Sequence, residues 1–379
     1  MSRMNHSARP RPGQRRRMQL GLSLVELMVA LVIGSVLIIG AVTVYTNSKK
    51  SYGESEAISR LQETARFAMS VIETDVRMAN FWGLLKGASL VQAQANQFAG
   101  PAAVAPSAAM NICGVNFGTD LNSNLQGDNN AYTLSLSNTR QPGCDTLADF
   151  NTGVAWPTTA TVTADTLTVR RASVFTQPSP GGPAGTLQVC TSRVAGRLMS
   201  DGGVGFPCAP QPGSQVNNLV VDSYYVDQNS QQQAGFPSLR RKMLVSIGGV
   251  PQFRDQEVIA GVEDMQIQFG IDPTGNSGIA TRYVNPRDPT IPPGAQIVAV
   301  RIWLLVRADA GDLGFTDNRI YQYGDRLQGN GVTGNLNVAG AAGMAYQPSG
   351  SANATINGPQ HVRRLLISRT IQVRNALGT

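Results

Sequence analysis

The sequence predicts an α+β protein. A long N-terminal helix, half membrane-spanning and half amphipathic, packs on an antiparallel β-sheet head that carries large loop insertions. Three observations predict this. There is no proline from Leu22 to Gly100. Within that stretch an uncharged apolar run gives way to a helical apolar stripe. The C-terminal half then alternates apolar and polar residues with the period of strands.

The helix comes first. After Glu26 the next charged side chain is Lys49, so Leu27–Ser48 can span a bilayer; about 20 apolar residues match a hydrocarbon core of ~30 Å. Glu26 itself lies inside this run, where a carboxylate costs roughly 2.5–3.5 kcal/mol at mid-membrane. Something must neutralise it. The nearest candidate is a new N-terminal amine, created if the chain is cut between Gly21 and Leu22. After Tyr45 the pattern becomes amphipathic: Ile58, Leu61, Ala65, Ala68, Ile72 and Val76 recur at steps of three and four, one stripe facing the chain's own head. Glu56–Arg60, Glu63–Arg66 and Glu73–Arg77 sit at the spacings of helical ion pairs. A helix reaching Asn80 would hold roughly 59 residues and run ~90 Å at the standard rise.

Residues 84–130 are rich in Ala, Gly, Asn, Gln and Pro and read as an irregular connection. Strand patterns follow at Tyr132–Ser137, Thr161–Val169, Leu219–Val226 and Lys242–Ile247. In Val258–Ile271, Met265, Ile267, Phe269 and Ile271 face one way, while Asp264, Gln266 and Gln268 face the other. In Ile297–Arg307 the even positions from Val298 to Val306 form the buried face. Leu365, Ile367, Ile371 and Val373 make a last strand, interrupted by Arg369. Residues 323–358 are dominated by Gly, Asn, Ala and Ser and read as a loop or surface excursion.

Net charge excludes one function class. The chain has 31 Lys+Arg against 24 Asp+Glu, but Arg3, Arg9, Arg11, Arg15, Arg16 and Arg17 all precede Gly21, with no acid among them. Taking those six from 31 leaves 25 against 24 for the 358 residues that follow. The basic surplus is therefore topogenic, keeping the N-terminus in the cytoplasm, and it gives no sign of a nucleic-acid partner. Cys113, Cys144, Cys190 and Cys208 all lie in the translocated part, without a C-x-x-C pair, so disulfides are expected and zinc is not. Three connectivities exist; the two local loops, Cys113–Cys144 and Cys190–Cys208, are favoured.

No enzymatic constellation is visible. His6 precedes Gly21, leaving His361 alone, and there is no G-x-S-x-G, H-E-x-x-H or P-loop. Asp120-x-Asn122-x-Asn124 imitates the start of a calcium loop. It has Leu125 where glycine is needed and Ala131 where a bidentate Glu belongs, so an asparagine-rich turn is the better reading. No cofactor or metal is expected.

A basic leader, then Gly21, an apolar residue, three more and Glu26, all opening a long apolar helix, resembles the class III signal of type IV pilins and pseudopilins. The resemblance implies cleavage between Gly21 and Leu22 by a prepilin peptidase on the cytoplasmic side, N-methylation of Leu22, and an assembly role for Glu26. Residues 261–272, 298–307 and 363–375 resemble PilW-like minor pilins; with 13–82, the resemblance covers roughly a third of the chain. It divides the chain into a cleaved leader (1–21), a transmembrane half-helix (22–48), a periplasmic amphipathic half-helix (49–82) and a globular β-rich pilin head (83–379). A disulfide-bearing insertion falls at about 100–215. The implied protein is a minor pilin of the bacterial inner membrane, its head periplasmic, incorporated into the pilus at the cell surface. Its implied partners are inner membrane lipid, the pilus assembly platform, and other minor and major pilins, with which it forms an initiating or tip complex. Two rival readings are a minor pseudopilin of a type II secretion system and a membrane-anchored periplasmic enzyme or receptor.

Overall fold

The computed structural model describes residues 23–94, 117–129, 164–177, 183–200, 213–227, 230–233, 235–311, 314–325 and 361–376. Cys113, Cys144, Cys208, Gly21, Leu22 and the stretch predicted as a strand at 132–137 lie outside them. The chain divides into two units, Met1–Glu56 and Ala57–Thr379. A single helix, α1 (Leu24–Met78), begins in the first and ends in the second.

In the first unit every large apolar side chain from Leu24 to Tyr45 is exposed, and the helix is long and apolar enough to cross a membrane by length and composition. In the second unit the helix has a buried face made of Leu61, Ala65, Ala68, Met69, Ile72, Glu73, Asp75 and Val76. The predicted stripe is thus buried from Leu61 to Val76, but Ile58 is 44% exposed. Ile58 extends the period into a shallow groove that it lines with Phe315 and Leu365. The helix stops two residues short of the predicted end. Asn80 adopts a left-handed conformation (φ 60°) and its amide donates to Arg170 O at 3.4 Å, outside the helical ladder.

Among the described residues twelve strands follow: β1 (Val91–Gln92), β2 (Leu125–Asp128), β3 (Thr166–Gln177), β4 (Leu187–Thr191), β5 (Gly196–Ser200), β6 (Gln215–Asp227), β7 (Ser238–Ile247), β8 (Val250–Ala260), β9 (Val262–Asp272), β10 (Arg282–Val284), β11 (Gln296–Arg307) and β12 (Arg364–Gln372). The first eight make one sheet in the order β1-β5-β4-β6-β3-β2, with β7 also on β6 and β8 beyond β7. β6 is long enough to take two neighbours along one edge: residues 215–218 pair with β4 and residues 222–227 with β7. All pairings are antiparallel except β1–β5. The last four form an antiparallel sheet in the order β10-β9-β11-β12.

The chain changes sheets at Gly261. Its φ of +98° is open to glycine and strained for other residues. Its amide donates to Pro237 O at 2.7 Å, and its carbonyl accepts from Arg307 N at 2.8 Å, so one residue ties the end of the first sheet to β11 of the second. Asp165 adds another tie, giving its amide to Met265 O (2.8 Å) and accepting Ile267 N–H on Oδ2 (2.7 Å). One apolar core joins the helix to both sheets.

The alternation in β9 and β11 is present, with Met265, Ile267, Phe269 and Ile271 buried against Val300, Ile302 and Leu304. The opposite face differs from expectation. Asp264 and Gln266 are buried too, because residues 314–325 fold over them: Tyr321 and Tyr323 pack with Leu305, and Tyr323 Oη–H donates to Asp264 Oδ2 at 2.5 Å. Short strands β1, β2, β4, β5 and β10 have no counterpart in the predicted set, and the edge strand β8 meets it only at residues 258–260.

Candidate functional site

Helix α1 carries the candidate assembly surface, and its start is built by two residues. Ser23 N–H donates to Glu26 Oε2 at 3.1 Å, while Glu26 N–H donates to Ser23 Oγ at 3.2 Å. This is a reciprocal capping box, S-x-x-E, which satisfies two amides that a helix N-terminus otherwise leaves open. Beyond it the apolar run continues without charge to Lys49. Ser35 and Thr43 do not interrupt it, since their hydroxyls donate back to Val32 O and Ile39 O at 2.8 Å.

The head grips the second half of the helix through polar contacts set in the apolar interface. Asp75 accepts from Arg171 Nη2 at 2.8 Å and, in a short hydrogen bond, from Tyr224 Oη–H. Glu73 pairs with Arg77 one turn on and with Arg369 of β12. Arg369, which interrupts the apolar pattern of the last strand, thus reaches the helix. At the helix end Asn80 Nδ2 donates to Asn375 O at 2.7 Å, and Trp82 Nε1–H donates to Asn80 Oδ1 at 2.7 Å. Of the predicted helical ion pairs, Glu73–Arg77 forms, and Arg60 bonds across to Asp309 at 3.4 Å.

Three buried arginines hold the head itself. Arg364 makes a fork to Glu263 (2.6 and 3.2 Å) and reaches Asp317 at 3.5 Å. Arg240 meets Asp255, and Tyr225 Oη–H donates to that carboxylate at 2.8 Å. Arg170 sits inside the loop that resembled a calcium site. Its guanidinium donates to Phe117 O (3.0 Å), Ser123 O (2.5 Å) and Gln126 Oε1 (2.9 Å), and stacks on the Phe117 ring at 4.6 Å. Burial pushes its pKa down to about 10, opposed by the Asp120 carboxylate. A fixed cation therefore occupies the centre of this loop, and Asp120 serves it.

Among the described residues no group of three or more His, Cys, Asp and Glu could hold a metal. His361 gives its Nδ1 to Phe315 O at 2.7 Å. A groove of about 490 Å³ runs beside the helix, with Leu61, Phe67, Phe236 and Ile259 in its lining; of its charged residues, Arg60 pairs with Asp309 and Arg307 with Glu263. Cys190, buried in β4, is disulfide-bonded to a residue outside the described set.

Comparison with known proteins rests on the two regions just built. Residues 16–42 match the prokaryotic N-terminal methylation motif. Residues 223–375, from β6 through β12, match the model for Type IV Pilus-assembly protein W. Together the two matches make the chain similar to PilW-like minor pilins at its helical start and across its C-terminal sheet. The matched region contains the whole four-stranded sheet and the Arg364–Glu263 fork; the motif contains Ser23, Glu26 and most of the membrane run. A search of curated proteins gives no match. Among solved structures a type IV-like pilin from Thermus thermophilus is similar over 59% of this chain and 82% of that one, at 13% identity and a TM-score of 0.24. The PilW-like chain is membrane-anchored by its N-terminal helix, takes part in type IV pilus assembly, and has other pilins as its binding partners.

Proposed function

We propose that this PilW-like pilin acts in an initiating or tip complex with other minor pilins. It is held until then in the inner membrane, with its N-terminus cytoplasmic and its head periplasmic. The observation that carries the reading is Glu26 inside an apolar helix that has no other charge before Lys49. Cleavage between Gly21 and Leu22 by a prepilin peptidase removes the six leader arginines and places an α-amine one helical turn from Glu26. In a low-dielectric medium the carboxylate needs a cation, its own chain's or a neighbour's. Assembly supplies one, with the pilus platform bringing subunits together. The chemistry is association, without turnover.

Glu26→Ala tests this. The variant makes the helix more apolar, so it should insert at normal abundance and still be cleaved. It should co-purify poorly with partner pilins and give few surface pili as the only copy. Normal piliation would refute the pairing role. Loss of the protein from the membrane would place Glu26 in folding instead.

A further inference from the structure

Where the helix docks on the first sheet, two acids meet. Asp75 comes from α1 and Asp222 from β6; both are buried, at 5% and 4% exposure. Asp75 takes the hydroxyl of Tyr224, two residues along β6 from Asp222 on the same face, so the two acids share one buried site. Two carboxyl groups sharing a buried site disfavour each other's charge, so one of them holds a proton more tightly. The charged and titratable groups around them come from five elements. From β3, Arg171 bonds Asp75 at 2.8 Å. From β6, Tyr224 donates its hydroxyl to Asp75. From β7, Arg241 lies 3.7 Å from Asp222 and gives its Nη2 to Gln256 of β8 at 3.1 Å. Arg254 sits on that same face of β8, opposite Met243 of β7. On the helix, Glu73 is occupied by Arg77 and Arg369.

We propose that Asp75 and Asp222 form a proton-dependent latch, holding helix α1 firmly on the first sheet while the pair holds one proton and loosening it when that proton leaves. The register explains why they meet. Asp222 and Tyr224 are two residues apart on β6, hence on one face, and their partners Val169 and Leu167 on β3 lie on that face with Arg171. The face is the one that receives Asp75.

Burial raises the pKa of Asp222 most, followed by the neighbouring Asp75 charge; Arg241 and Arg171 pull the other way and do not overcome them. The outcome is an affinity for the proton pushed from the ordinary carboxylate range up to about 7. The sign follows from linkage. A carboxyl whose pKa is higher docked than undocked binds more protons in the docked state, so docking weakens as pH rises through that window and levels off above it.

Hydrogen exchange on the full-length protein in detergent reads this directly. After correction for intrinsic rates, the protection of residues 68–78 should fall between pH 5 and pH 7 by up to about tenfold per unit, the slope of one proton, and then flatten. Asp222→Asn stays neutral beside Asp75 and does not titrate, so its protection should be high and flat. A second readout is the infrared carbonyl band of a protonated acid. It should persist at pH 6, vanish by pH 8, and be missing from Asp222→Asn. Wild-type protection that does not change over this range overturns the latch, whether or not the variant folds. So does a folded Asp222→Asn that keeps the wild-type slope.

Discussion

Ser23 and Glu26 show how one short spacing can serve two purposes at the scale of a residue. The carboxylate proposed to pair with a cation on assembly already caps its own helix, through hydrogen bonds of 3.1 and 3.2 Å. The S-x-x-E pattern was readable, yet attention to the cost of a buried charge hides it, because a cap is a local matter and the charge is not. Arg170 was not readable in this way. Its role depends on a loop more than 40 residues earlier closing over it, and the Asp-x-Asn-x-Asn run suggested a bound ion where a guanidinium sits. Arg170→Met should therefore leave Asp120 without its neighbouring cation and the acceptor carbonyls of Phe117 and Ser123 without their donor. Removing one side of a buried charged network costs about 3–5 kcal/mol, so thermal unfolding of the detergent-solubilised protein should drop by roughly 6–20 °C for a domain of this size. An unchanged midpoint would contradict this account of the loop.

Helices and strands that carry their own period were legible as elements. The stripe from Leu61 to Val76, the inward residues of β9 and β11, and the long β6–β7 pair follow from spacing alone. What failed depended on a second surface. Ile58 keeps the helical period, but it lines an open groove with Phe315 and Leu365 and stays 44% exposed; Asp264 and Gln266 keep the strand period, but residues 314–325 cover them. The short strands β4 and β5 hold only five residues each, too few for alternation to show. Arg369 looked like a fault in the last strand until Glu73 was placed opposite it. The contrast between positions on one helix is measurable. Ile72→Ala, at a site with no exposure, should cost about 2–5 kcal/mol. Ile58→Ala, four turns earlier on the predicted stripe, should stay within about 0.5 kcal/mol. Equal losses at the two sites would mean that the helix docks further toward its N-terminus than described.

At the scale of the whole molecule, the helix from Leu61 to Val76 and both sheets of the second unit share one core. Sequence showed the anchor and the C-terminal sheet, because each is set by local composition and period. It could not show how Gly261 passes the chain from sheet to sheet, or which buried acids face the helix, since both follow from long-range register. The assignment as a pilin depends most on what happens at Gly21. N-terminal sequencing and mass measurement of the protein recovered from sheared pili and from membranes test it directly. The account predicts a chain that begins at an N-methylated Leu22 and has lost the six leader arginines. A chain that still begins at Met1, or that begins beyond Ser48, would contradict it.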